Sequence, residues 1–230
     1  MTHLFICNSL LHFSRKYTNF AIIYICAQMT LIIVAITSVI SIIAFSNRTL
    51  FAKLQFNPYQ VYHRREWYRI ITHGLLHADW THLIINMLVL YSFGNHVERW
   101  FFEMASVTWM KLPVLWYVIF YLLSLIVSSL ITLYKHKDDV WYNAIGASGA
   151  VSAVLFCSIF FEPGQTLLFF GILPIKAYIF GPLYLLYTYY AGRKSADNIN
   201  HDAHLLGALF GFCFPLLIDV HLIKWFLGQF

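Results

Sequence analysis

A serine stands between two glycines in the segment Gly146-Ala-Ser148-Gly149, within a long apolar stretch. A serine hydroxyl becomes a nucleophile when a neighbouring base removes its proton. Glycines allow other backbone to approach closely, and the free N–H groups at the start of a helix can bind an oxyanion. The segment therefore offers a nucleophile site, but small-residue clusters also serve helix packing in membranes.

A histidine opens a row of small residues near the C-terminus. His204, Gly207, Ala208 and Gly211 recur at helical spacing and fall on one helix face. That face carries one side chain able to act as a base and little bulk, so a second helix can come close. The pattern fits either a general base beside another helix or a histidine that serves packing.

Hydrogen-bond donors recur between residues 73 and 86, in the order His73, His77, His82 and Asn86. His82 and Asn86 are four residues apart and share a helix face. Buried groups of this kind need partners or a wet cavity. Together with a nucleophile and a base, such donors complete the parts required for acyl transfer, because the tetrahedral oxyanion needs positioned donors.

A different chemistry is open to the first two of these histidines. His73 and His77 fit one histidine box of an iron-containing membrane oxidase, since imidazole suits iron. No HxxHH box accompanies them, and no HExxH zinc motif occurs in the chain. We expect no metal and no other cofactor, and we expect His73 and His77 to link the preceding loop to its helix by hydrogen bonds.

These polar residues stand out because the rest of the chain is so apolar. Of 230 residues 60% are hydrophobic and 11% are charged, whereas soluble domains carry roughly a quarter charged residues. The composition excludes an ordinary soluble domain and a disordered chain. The net charge of +5 comes without a basic run, so no nucleic-acid partner is indicated. Four scattered cysteines without a CxxC pair indicate no disulfide scaffold.

Uncharged runs long enough to cross a bilayer divide the chain into elements that would position these residues. We predict a lead at residues 1–16 and one membrane domain at residues 17–230, with lipid as its surroundings. The oligomeric state is left open. The six predicted spans are Tyr17–Asn47, Trp80–Val97, Leu112–Tyr134, Val140–Phe161, Pro163–Gly192 and Ala203–Leu217. The fifth is the exception to the uncharged rule, because it contains Lys176.

The segment between the first two spans, residues 47–76, is rich in both aromatic and basic side chains. Such mixtures suit the membrane–water interface. We therefore expect this first loop to lie in the headgroup region, with an ordinary surface loop as the alternative.

Five motifs in this order resemble the rhomboid family of intramembrane serine proteases. The resemblance covers residues 66–214, most of the chain. The motifs are Glu66-Trp-Tyr-Arg69 with Thr72-His73, the spacing from His73 to Asn86, Gly94 with Glu98, Gly146-Ala-Ser148-Gly149, and Ala203-His204-Leu-Leu-Gly207 with Gly211.

The resemblance implies an all-α bundle of six membrane helices that cleaves transmembrane protein substrates. By residue-by-residue transfer, Ser148 would be the nucleophile and His204 the base. His82, Asn86 and the Ser148 backbone N–H would form the oxyanion hole. The transfer also implies that Arg69 helps to seat the first loop in the membrane. Glu98 would belong to the support of the second helix.

Two positions depart from the family pattern. Rhomboids often carry an aromatic residue four positions after the serine, which packs against the histidine, and here that position is Ser152. The residue before Arg69, often Trp, is Tyr68. An inactive relative that binds membrane clients is the non-enzymatic alternative, although such relatives usually lack the serine or the histidine.

Orientation is ambiguous from charge. Most of the 15 basic residues would lie on the side opposite the N-terminus, which by the positive-inside rule would make that side cytoplasmic. The resemblance implies a cytoplasmic N-terminus, and the interfacial first loop makes us follow it. We expect a multi-pass protein of the cell (inner) membrane.

Overall fold

The computed structural model describes residues 28–109, 111–169, 172–194 and 199–230. The predicted lead at residues 1–16 and the start of the predicted first span lie outside the described residues. Within these ranges, the α-helices are α1 Gln28–Ser46, α2 Arg48–Leu54, α3 Pro58–Arg64, α4 Arg69–Thr72, α5 Trp80–Val107, α6 Pro113–His136, α7 Ser148–Phe161, α8 Ala177–Lys194, α9 His201–Ile218 and α10 Leu222–Leu227.

Three of these helices, α1, α6 and α9, are long and apolar enough to cross a membrane. Helix α7 is apolar but shorter. Helix α5 runs on past the predicted end of its span, to Val107. The helical membrane fold is confirmed, and the count of six spans stays a prediction.

Helix α7 lies at the centre of the bundle. It packs against α5, α6 and α9, and every residue after Ser148 is buried. Its 14 residues give a length of about 21 Å at 1.5 Å per residue, less than the roughly 30 Å of bilayer hydrocarbon. At least one end of α7 therefore lies within the hydrocarbon layer when the bundle is embedded.

A short β-hairpin replaces the first part of the predicted fifth span. Strands β1 (Thr166–Phe169) and β2 (Leu173–Lys176) pair antiparallel, and α8 begins only at Ala177. A short apolar run does not by itself distinguish a strand from a helix. The hairpin is an addition to the predicted all-α fold.

Helices α7 and α9 approach each other through their backbones. A Cβ atom added at Gly207 would overlap the carbonyl of Gly149, and one added at Gly211 would overlap the carbonyl of Ala153. Close approach of this kind is what small residues permit between membrane helices. The contact fixes the start of α7 against the start of α9.

A buried carboxylate joins α1 to α5. Glu98 is 1% exposed and accepts hydrogen bonds from the backbone N–H groups of Met29 and Thr30 (3.0 Å each) and from the Thr30 hydroxyl (2.8 Å). The Thr30 hydroxyl in turn lies 2.9 Å from that of Tyr117. A carboxylate that binds free N–H groups at a helix start satisfies them and suits the helix dipole, so Glu98 supports the bundle at a helix start.

Candidate active site

Ser148 is the first residue of α7 and is half-buried. Among the residues that the structure describes, its hydroxyl makes no hydrogen bond. The first N–H groups of a helix have no intrahelical acceptor. A hydroxyl and donor N–H groups are therefore presented together at one end of a helix that lies in the bundle centre.

His204 lies in the first turn of α9 and is also half-buried. A Cβ atom added at Gly149 would lie 3.3 Å from the Ala203 carbonyl oxygen. Ser148 and His204 each immediately adjoin this contact in sequence. The structure thus places the predicted nucleophile and the predicted base at the neighbouring starts of two touching helices.

Gly146 separates the ring of His82 from Ser148. A Cβ atom at position 146 would lie 2.9 Å from His82 Cε1 and 3.2 Å from His82 Nε2, and the Ser148 Oγ is 3.8 Å from the same point. Gly146 has a φ of +111°, which L side chains rarely adopt. Only glycine fits where the imidazole and the hydroxyl flank the backbone.

The hydrogen bonds of His82 determine which ring nitrogen can donate. Its Nδ1 accepts a hydrogen bond from the Ala78 backbone N–H at 3.3 Å, so in the neutral ring the proton is on Nε2. Its own backbone N–H donates to the Asp79 carboxylate at 2.8 Å, which caps α5. The Nε2–H on the side of Gly146 is therefore a donor, as an oxyanion requires.

Asn86 is buried one helical turn after His82. Its Nδ2 donates to the His82 carbonyl oxygen at 2.9 Å. An amide nitrogen carries two protons, so one donor proton remains beyond this bond. Asn86 shares the α5 face of His82, as the four-residue spacing predicts.

The first loop is joined to the segment that leads into α7. Phe56 and Ala144 exchange two backbone hydrogen bonds (3.0 and 2.9 Å), and the Gly146 N–H donates to the His73 carbonyl oxygen at 3.0 Å. His73 Nδ1 donates to the Arg69 carbonyl oxygen at 3.1 Å. Burial lowers the pKa of His73 to about 4, which keeps the ring neutral near pH 7.

His77 is fully buried where the loop meets α1. The Ser41 hydroxyl donates to the Leu75 carbonyl oxygen at 2.8 Å, so Ser41 accepts from His77 Nδ1 at 2.9 Å. The His77 ring lies edge-on to that of His82, with 4.9 Å between ring centres. Burial lowers the pKa of His77 to about 3. Ser41 was missed from the sequence, where it reads as one more small residue in an apolar helix.

Arg69 is buried inside the first loop, 6% exposed. Its Nη1 donates to the carbonyl oxygens of Ala52 and Gln55, each at 2.8 Å, and its Nε donates to Glu66 at 2.6 Å. The hydrogen bond from Arg69 holds the pKa of Glu66 below its usual value. Arg69 therefore orders the loop from within, since its guanidinium binds protein groups.

The start of α9 is held by Asn200, Thr132 and Lys135, which the sequence did not single out, and by Asp202, which the sequence suggested as a loop or cap residue. Asn200 accepts from the Ala203 N–H at 3.1 Å and donates to the Thr132 hydroxyl of α6 at 2.9 Å. Asp202 binds Lys135 of α6 at 2.6 Å. An Asn three residues before the capped N–H is a helix-start signal that could have been noticed.

Position 152 has a tyrosine partner from another helix. The Ser152 hydroxyl lies 2.7 Å from the Tyr184 hydroxyl of α8. Ser152 occupies the position where rhomboids often carry an aromatic residue. Here its hydroxyl is in hydrogen-bonding distance of Tyr184, which belongs to the fifth predicted span.

The predicted residues separate into three places. One group, composed of Ser148, His204, His82, Asn86, Gly146 and Gly149, is arranged around the starts of α5, α7 and α9. A second, composed of Arg69, His73 and His77, lies in and just after the first loop, and Glu98 lies apart on α5. Among the described residues, no three His, Cys, Asp or Glu side chains are grouped so as to hold a metal ion.

These observations define a helical membrane protein with a serine at the start of a short central helix and a histidine at the start of its neighbour. A family profile described as the Rhomboid domain matches residues 64–219. The chain belongs to the rhomboid family. A curated relative, RHOMBOID-like protein 12, mitochondrial, of Arabidopsis thaliana, is 28% identical over 143 residues. The match covers 60% of this chain and 43% of that protein, so the chain spans less than half the length of this relative.

Proposed function

We propose that the protein is an intramembrane serine protease that hydrolyses peptide bonds in or near transmembrane segments of other proteins. One observation carries the proposal. The backbone contact between Gly149 and α9 sets Ser148 beside the helix turn that bears His204, in the centre of a membrane bundle. Family membership supports the same reaction class.

The reaction begins when His204 takes the proton of the Ser148 hydroxyl as its oxygen attacks the substrate carbonyl carbon. The tetrahedral oxyanion accepts hydrogen bonds from the Ser148 backbone N–H, His82 Nε2–H and Asn86 Nδ2. His204 then gives its proton to the departing amine, and the peptide bond breaks. Water, deprotonated by His204, then attacks the acyl carbon. The bond to the Ser148 oxygen breaks, His204 returns its proton to that oxygen, and the carboxylic acid leaves.

Substrate helices must unwind locally before such attack, because a helical peptide bond is enclosed by its own hydrogen-bonded turn. We expect substrates with helix-weakening residues and a small side chain before the cleaved bond. Water reaches the site along the polar side chains between His73 and Asn86.

Location and orientation are part of the proposal. We propose a multi-pass protein of the cell (inner) membrane with its N-terminus in the cytoplasm. The Arabidopsis relative is named as a mitochondrial protein, which makes an organelle membrane the competing location. A tagged chain followed by fractionation distinguishes the two, and protease protection of an N-terminal tag reports the orientation.

A serine-reactive probe tests the chemistry of the site. The purified protein in detergent is treated with a fluorescent fluorophosphonate, and we expect labelling that is lost in both Ser148→Ala and His204→Ala. Mass spectrometry then locates the adduct on Ser148. Absence of labelling in the folded wild type, or labelling that survives Ser148→Ala, contradicts the proposal.

A client-binding protein without catalysis is the alternative that the name "rhomboid-like" of the relative raises. It predicts that folded wild-type protein captures a transmembrane client without cleaving it, with Ser148→Ala indistinguishable from wild type. The presence of both Ser148 and His204 at adjoining helix starts favours the protease.

A further inference from the structure

The ring of His204 has an aromatic neighbour on its own helix. His201 lies one turn earlier on α9, and the two ring centres are 6.2 Å apart with the ring planes at 80°. This is the edge-to-face arrangement that aromatic rings favour. A ring so placed restricts rotation of its neighbour.

His201 is itself fixed from the neighbouring helix. It is 4% exposed, and its ring lies edge-to-face with Tyr187 of α8, with 5.7 Å between centres and 82° between planes. A Cβ atom added at Gly192 of α8 would lie 3.1 Å from the His201 Cβ. The His201 ring therefore sits between α8 and the proposed base with little room to move.

The turn that carries both histidines is also anchored to α6. Asn200 caps α9 and bonds to Thr132, and Lys135 binds Asp202. These bonds fix the backbone of the turn. They do not fix the side-chain torsions of His204, which depend on the groups that contact its ring.

We infer that His201 is a positioning residue for the reaction, which holds the His204 imidazole in orientation through an aromatic series Tyr187–His201–His204. The inference rests on the proposed function. His201 makes no contact with substrate in this account and takes no proton. Its effect is to increase the fraction of time that His204 points toward the Ser148 hydroxyl.

Substitutions that separate ring shape from helix packing test this role. We expect His201→Leu to lower kcat for a transmembrane substrate by about threefold to tenfold, the worth of one edge-to-face pair, with KM unchanged. His201→Phe keeps an aromatic ring, so its kcat is expected to stay within about twofold of the wild-type kcat. Tyr187→Leu should lower kcat and Tyr187→Phe should not.

A matched control removes a ring of α8 that is not part of this series. Tyr189 lies against Tyr190 and Arg193, and Tyr189→Leu is expected to leave kcat unchanged. Melting temperatures are measured for every variant in the same detergent, so that loss of folding is separated from loss of rate.

The outcomes distinguish the inference from the proposed function. If wild type neither cleaves substrate nor reacts with a fluorophosphonate at Ser148, the protease proposal fails, and the inference fails with it. If wild type reacts and His201→Leu matches it in kcat, only the inference is overturned. The same holds if the Leu and Phe variants lose kcat equally, because the ring then contributes nothing beyond packing.

Discussion

Single substitutions can test the donor groups that we propose to bind the oxyanion formed at Ser148. We expect Asn86→Ala to lower kcat by about 10²–10³-fold, the usual cost of one oxyanion donor, while Ser148→Ala abolishes cleavage. Asn86 also bonds to the His82 carbonyl, so melting temperatures accompany the rate measurements. Full kcat in a folded Asn86→Ala protein removes Asn86 from the oxyanion hole.

Gly146 has an unusual backbone conformation and lies next to both His82 and Ser148. In Gly146→Ala the new Cβ would lie 2.9 Å from the His82 ring, at a φ of +111°. Backbone strain of this kind costs on the order of 1–3 kcal/mol, and the displaced imidazole should lower kcat more than tenfold, by the cost of a lost donor.

Gly164 provides the control for this substitution. A Cβ atom there would meet nothing within 4 Å, so Gly164→Ala should keep both kcat and melting temperature. If Gly146→Ala behaves like Gly164→Ala, the ring of His82 is not held against the Ser148 segment.

Residue types and spacing were enough to single out most of the residues of the candidate site. Ser148, His204, His82 and Asn86 were identified because polar residues are costly within apolar spans. Residues that hold the surrounding segments were not identified, because Ser41, which binds His77, and the pair Thr132 and Asn200 at the start of α9 make contacts between positions far apart in sequence. Their types are common in membrane helices for packing, so type alone did not mark them.

At the level of elements, the α7–α9 contact places Ser148 and His204, the proposed nucleophile and base, at neighbouring helix turns. In Gly207→Ala the added Cβ would overlap the Gly149 carbonyl, and overpacking of this kind costs about 1–3 kcal/mol. We expect a lower melting temperature and a loss of kcat, because the helices must separate.

Gly181 of α8 is the matched control, since a Cβ there would make ordinary contact at 3.7 Å with Phe156. Gly181→Ala should be neutral or stabilising. Equal melting temperatures and rates for Gly207→Ala and wild type contradict the close approach of α7 and α9.

The first loop should loosen in mild acid. The pKa of His73 is lowered to about 4 and that of His77 to about 3, in both cases by burial, from an ordinary 6.5. When the loop opens, both rings regain their ordinary pKa and bind protons at a higher pH than in the closed loop. The stability that the neutral rings give to the closed loop is therefore complete above about pH 6.5 and is lost as the pH falls toward 4. Hydrogen exchange of loop amides, corrected for intrinsic rates, should show more opening at pH 4.5 than at pH 7.

The Glu66–Arg69 pair acts in the same direction, but over a lower pH range than the histidines. The pKa of Glu66 is lowered by its bond from Arg69, so the stability that this carboxylate gives begins to be lost only when the pH falls into the usual range of a Glu carboxyl. The change should shrink in His73→Phe. Loop exchange that is the same at both pH values shows that the two histidines do not couple the loop to protons.

Element boundaries could be predicted only in part. Uncharged runs gave the approximate positions of α1, α6 and α9, which are long and apolar enough to cross a membrane. The start of α7 at Ser148 was placed too early, at Val140, because an uncharged loop precedes it. The β1–β2 hairpin was predicted as part of a helix because the hydropathy of a short apolar run does not distinguish a strand from a helix.

At the scale of the whole molecule, the low charge of the chain and the short central helix α7 both fit a helical bundle embedded in a membrane. A chain with 11% charged residues is suited to lipid, and α7 is shorter than the hydrocarbon layer is thick, so at least one of its ends lies within that layer. Membership in the rhomboid family is consistent with this architecture. Neither the domain boundary at residue 17 nor the number of spans follows from the described helices, and both stay predictions.

Cleavage by the purified protein in liposomes is the most direct test of the central claim. A model transmembrane substrate with a helix-weakening segment is reconstituted with wild type, Ser148→Ala or His204→Ala, and products are identified by mass spectrometry. We predict a single cut in or near the membrane segment by wild type and none by either folded variant. Cleavage that persists in Ser148→Ala, or a folded wild type that cleaves no such substrate, contradicts the account.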